Sequence, residues 1–155
     1  MSEEVAYRVT CIRSEARKLH RQVFANPKIE MSKRIVVAQS YVFAEGIFQS
    51  CTWPDLCKSD FRKMHGAVMD VYRSVSNQRW TVDNGTVSDD SVISQLHAMA
   101  PAVMLRMSRV LFFIRWVVKA PDGCVAVVLM AGAASKSWLA HVKKDLAWLS
   151  TGQEF

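Results

Sequence analysis

Three arginines, Arg13, Arg17 and Arg21, stand at i, i+4 and i+8, a spacing that sets their guanidinium groups in one row along a helix. Such a row can meet a series of phosphates, because each guanidinium offers paired donors to an oxyanion on a stem long enough to follow a groove. Lys18 lies beside the row, and Lys33 and Arg34 open the next apolar segment. Residues 8 to 34 thus form one basic stretch, in which Arg13, Arg17, Lys18, Arg21, Lys33 and Arg34 are the candidate contacts to nucleic-acid backbone. A solvated helix face produces the same pattern.

A second charged group stands in apolar surroundings. In "SWLAHVKKDLAWL", residues 137 to 149, Trp138, Val142, Leu146 and Leu149 share a stripe at about 100° per residue, and Asp145 falls inside it. A carboxylate there needs a partner. Arg106, Arg109 and Arg115 sit in the equally apolar "PAVMLRMSRVLFFIRWVVK". Asp145 with Arg109 or Arg106 is therefore the expected structural ion pair, one that fixes how two helices dock.

Other chemistry finds less support. Cys11, Cys51, Cys57 and Cys124 form no CxxC pair and combine with His20, His65, His97 and His141 at no zinc-ligand spacing, so no metal is expected. Cys51 or Cys57 with His65 is a formal nucleophile pair, but nothing around it would activate a thiolate, and buried structural thiols are the expectation. His65 falls on the apolar face of its helix. Asp89 and Asp90 are neighbours and diverge by about 100°, which suits a helix start better than a shared metal. The glycines form neither GxGxxG nor GxxxxGK[ST], so no nucleotide cofactor is expected.

The elements that must position these residues read as helices throughout. Val5, Val9, Ile12, Ala16, Leu19 and Val23 make a heptad-like seam, started by Ser2 with Glu3 and Glu4 and ended by Asn26-Pro27. Ser32 is placed to cap "KRIVVAQSYVFAEGIFQS", apolar on nearly every side and so expected at the centre, with Trp53-Pro54 as its stop. Ser59 is placed to cap "SDFRKMHGAVMDVYRSV". After the polar stretch "SNQRWTVDNGTVSDD", with a turn at Asp83-Asn84-Gly85, Ser88 begins a fourth helix and Pro101 a fifth, which Pro121 closes. "DGCVAVVLMAGAA" is ambiguous in periodicity, and its neighbours favour helix.

The expected fold is all-α, with six to seven helices in a compact bundle or two loosely joined bundles. Its parts would be residues 1–80, a helical bundle with the basic first helix, a polar connector at 81–90, and a C-terminal helical region at 91–155. At 155 residues, 50% hydrophobic and +6 in formal charge, the chain has a core of useful size and suits an anionic partner. No apolar run approaches the ~20 residues of a membrane span. The acidic start, "MSEEVAYR", is unlike a secretory or transit peptide, so the expected setting is intracellular and away from membranes.

The order of the unusual segments is itself informative. "KRIVVAQSYVFAEGIFQSCTWPDL", "FRKMHGAVMDVYRSV", "SDDSVISQLHAMAPAVMLRMSRVLFFIRWVVKAPDG" and "SWLAHVKKDLAWL" succeed one another. The series resembles the region after the catalytic palm in reverse transcriptases of non-LTR, LINE-like retrotransposons of the dinoflagellate type. The residues that carry it are Lys33, Thr52-Trp53, Tyr72-Arg73, Ser88-Asp89, Val92-Ile93, Arg106, Arg109, Ala120-Pro121, Ser137-Trp138, Asp145-Leu146 and Trp148-Leu149. The resemblance implies a thumb and post-thumb region that lies along a template and primer duplex, with Arg13, Arg17 and Arg21 on its backbone. The chain departs from the family in lacking the paired aspartates of the palm, without which two-metal phosphoryl transfer cannot proceed, and in having Val110-Leu111-Phe112 where relatives repeat a basic residue. The expected role is accordingly non-catalytic backbone binding without sequence specificity. The alternatives are a helical subunit using the Val5 to Val23 seam on a protein partner, or a folded relic with no selected function.

Overall fold

In the computed structural model the described residues are 1–77, 87–131 and 137–151, and among them the chain is all helix and turn, with no strand. Among the described residues seven helices follow in order, with the short Ala44–Gly46 turn of helix counted with the one before it. They are α1 (Ser2–Leu19, widened into a π-turn at His20–Phe24), α2 (Met31–Val37, likewise widened at Ala38–Phe43 and ending at Ala44–Gly46), α3 (Lys58–Val75), α4 (Asp89–Leu96), α5 (Pro101–Lys119), α6 (Asp122–Ala131) and α7 (Trp138–Thr151). The turn at Asp83-Asn84-Gly85 lies outside the described residues.

The chain forms two compact units. Unit 1 is Met1–Phe48 with Cys57–Pro101, and unit 2 is Gln49–Leu56 with Ala102–Phe155. The division falls at Pro101 rather than in the polar stretch at 81–90, and the short segment Gln49–Leu56 crosses over to unit 2.

Unit 1 is built on the packing of α1 against α3. The seam supplies Val5, Val9 and Ile12 from α1, and α3 supplies Met64, Val68, Val71, Tyr72 and Val75, all buried. The helices run in the same direction, since Ser2 Oγ donates to Asp60 (2.7 Å), Arg13 meets Asp70, and His20 Nδ1 lies 3.0 Å from Ser74 Oγ. Ser2 therefore bonds across to α3 instead of capping its own helix, and the cap position falls to Met1. The starts of α2 and α3 also shift, to Glu30 and Cys57 as cap residues in place of Ser32 and Ser59. Ser88 does cap α4, accepting from the Ser91 amide.

Helix α2 is not central. It buries Ile35, Ala38, Val42 and Phe43 on one side and exposes Val36 and Tyr41 on others. It stops at Gly46, before Trp53-Pro54, and α1 packs closely at that point: a Cβ at Gly46 would overlap the Ile12 side chain. We predict that Gly46→Ala lowers the unfolding free energy by about 1 to 3 kcal/mol, the usual cost of overpacking, as read by urea denaturation.

Tyr72 closes this core. Its ring meets Phe43 edge-on at 5.4 Å, and its hydroxyl donates to the Met99 carbonyl at 2.9 Å. Burial pushes the phenol up to about 12, above the ordinary value of about 10. Below pH about 10 folded and unfolded chains both hold the proton; as pH rises toward 12 the unfolded chain ionises first, so this contribution to stability is lost there. Denaturation across that window should show a decline that is shallower in Tyr72→Phe.

Candidate nucleic-acid interface

Between α1 and α3 lies a groove of about 440 Å³. Arg13, Arg17, Lys18, His20 and Arg21 line one wall, Asp70 and Ser74 the other, and Ala16, Ala67 and Val71 make a small apolar floor. The helical spacing thus brings the three arginines of the row to one concave surface. The π-turn begins at His20 and so places Arg21 on a widened part of the helix.

The six cations expected on this face have different fates. Arg17 and Arg21 are exposed, and neither has an ion pair among the described residues. Arg13 is 3.4 Å from Asp70, both well exposed at 52% and 63%. Lys18 pairs with Glu15 at 2.5 Å and Lys33 with Glu30 at 3.5 Å. Arg34 is a correction: it is buried, and its guanidinium donates to the carbonyls of Ile29 (2.8 Å), Asn26 (2.8 Å) and Val75 (3.4 Å). Those bonds tie the 26–29 turn to the end of α3 and leave Arg34 no role at a phosphate. The apolar run around it gave the cue, since a charge amid such residues must turn inward or be paired.

In unit 2 the carboxylate of Asp145 is buried and accepts two bonds from Arg109, at 2.6 and 3.1 Å, a bidentate arrangement. Arg106 lies 3.8 Å away and stacks over Trp148 at 5.1 Å. Asp55, from the crossing segment, completes the cluster with contacts to Arg109 (3.1 Å), His141 (3.1 Å) and Lys144 (3.3 Å). Burial alone would raise the Asp55 carboxyl, but His141, Arg109 and Lys144 together hold it below the usual range. Asp55 and His141 escaped sequence reasoning, since no spacing links a loop residue to helices so far along the chain. The pair also sets the rotation of α7: Leu139, Val142 and Asp145 turn inward while Leu146 and Leu149 are exposed, which corrects the expected stripe.

A comparable cluster in unit 1 joins α3 to the first turn of α4, with Asp89 bridging His65 (2.7 Å) and Arg73 (2.5 Å). His65 is thus half-buried and within hydrogen-bond reach of Asp89 rather than sealed in the core. The cysteines are free thiols, but Cys57 and Cys124 are exposed and Cys11 and Cys51 half-buried, so none is a fully buried structural thiol. Among the described residues no three His, Cys, Asp or Glu side chains gather as a metal site, and no helix is long and apolar enough to cross a membrane. No protein-family model, curated protein or solved structure matches this chain.

The Asp145 cluster yields a sharp test. Asp145→Ala takes the bidentate partner from a buried guanidinium, leaving it only Asp55, and should cost about 3 kcal/mol, whereas Arg109→Met with Asp145→Leu should recover much of that loss. Four of the five tryptophans belong to unit 2, so tryptophan fluorescence during urea denaturation measures it.

Proposed function

We propose that the chain holds nucleic-acid backbone, preferably an RNA/DNA duplex, without reading its sequence. It would do so in the manner of the thumb and post-thumb region of the LINE-like reverse transcriptases that its sequence resembles. The observation that carries this reading is the groove along α1, where Arg13, Arg17 and Arg21 share one concave, solvent-open wall. Guanidinium groups so placed bond phosphate oxygens, and the apolar floor supplies no donors to discriminate bases. On this reading the chain positions a duplex and performs no chemistry on it.

A second reading, a helical subunit of a larger assembly, draws on a different surface. The Val5 to Val23 seam is filled from within, since Val5, Val9 and Ile12 are buried in unit 1. The second half of α5 and most of α6 instead present Leu111, Ile114, Val118 (78% exposed), Val127 and Met130 (77%) to solvent. Exposed apolar residues in such number mark surfaces that other proteins cover.

Fluorescence anisotropy with a labelled RNA/DNA hybrid duplex at two salt concentrations separates the readings. Backbone binding predicts micromolar affinity that falls steeply with salt and is lost in the Arg13/Arg17/Arg21 triple alanine variant. Absence of binding at low salt would leave the subunit reading.

A further inference from the structure

Of the six cationic side chains assigned to the basic face, only two retain unbalanced charge at the surface. Asp70, Glu15 and Glu30 neutralise Arg13, Lys18 and Lys33, and Arg34 is buried on carbonyls. Arg17 and Arg21 remain, one helical turn apart, with about 6 Å of axial rise between them. That rise is close to the separation of neighbouring phosphates along one strand.

We propose that the groove takes two consecutive phosphates of a single nucleic-acid strand, gripped by Arg17 and Arg21, and that Asp70 competes with phosphate for Arg13 and keeps it out of the grip. The inference rests on the nucleic-acid reading above and adds the number of phosphates held and the residue that limits it. Three observations converge on it. Asp70 stands on the α3 wall directly across from the row, so it repels a phosphate approaching Arg13 while sparing the far end. At that far end the α3 wall is Ser74, an uncharged group engaged with His20. The Arg13–Asp70 pair is open to water on both sides, a setting in which an ion pair is worth at most about fivefold in an equilibrium, so its removal is measurable without disturbing the fold.

The test uses the full chain and a short fluorescein-labelled RNA/DNA hybrid duplex, titrated over a series of salt concentrations. Each phosphate contact contributes about one to the slope of log affinity against log salt. Arg17→Ala and Arg21→Ala should each flatten the slope by about one, and Arg13→Ala should flatten it by clearly less than either. Asp70→Asn should tighten binding severalfold and steepen the slope by about one, and adding Arg13→Ala to Asp70→Asn should cancel both gains. All four side chains are exposed, and far-ultraviolet circular dichroism verifies that each variant keeps its helices. If Arg13→Ala flattens the slope as Arg17→Ala does, or Asp70→Asn changes nothing while the wild type binds and the triple variant does not, the two-phosphate grip is overturned and backbone binding stands. If the wild type fails to bind at the lowest salt, both fall together.

Discussion

A guanidinium withdrawn from water must have its donors met, and three such groups organise this molecule. Arg8, Arg34 and Arg109 are all buried, and each spends at least one bond on a distant part of its own unit. Arg8 reaches Glu4 and the Glu45 carbonyl, linking α1 to the end of α2. Arg34 gathers a turn and the end of α3, and Arg109 gathers Asp145 of α7 with Asp55 of the crossing segment. Arginine suits the task because its planar fork satisfies two acceptors at once and stays charged. Such contacts favour one arrangement over others more than they add net stability, since apolar replacements of a whole pair are often tolerated.

That internal use of charge changes how the basic composition relates to function. A formal +6 overstates the field available to a ligand at any one place, because several cations serve the fold and others face a local carboxylate. Of the row on α1, Arg17 and Arg21 are left facing the groove without an acidic partner among the described residues. Helix geometry creates the row, the parallel packing of α1 on α3 makes it concave, and the distribution of acidic residues decides which members act outward.

Much of this was legible in the sequence, and the exceptions have physical causes. Ser88, Pro101 and Pro121 mark helix limits through local backbone chemistry, and the structure places limits there. The inward turn of Asp145 follows from the wheel. The wheel still erred over Leu146 and Leu149, because it weighs apolar residues alone while the buried ion pair sets the helix rotation. Ser2, Ser32 and Ser59 are acceptable caps in isolation, yet tertiary contacts and the preceding turns moved each boundary. Arg34 reads as a surface cation in the sequence because spacing reports the phase of a residue and says nothing of whether a neighbouring turn will supply carbonyls. Asp55, His141 and Asp70 lie furthest from sequence reasoning, since each matters only through a neighbour many residues away.

The outward-facing α6 has a consequence for how the chain comes apart. A ten-residue helix lies below the length at which helices persist alone in water, and most of its side chains touch solvent instead of a packed neighbour. Its backbone bonds are therefore the least reinforced in unit 2, and local opening there requires far less free energy than global unfolding. Amide hydrogens of Asp122–Ala131 will exchange early, ahead of those in α3, and each opening frees the backbone groups of a segment whose apolar side chains already face solvent.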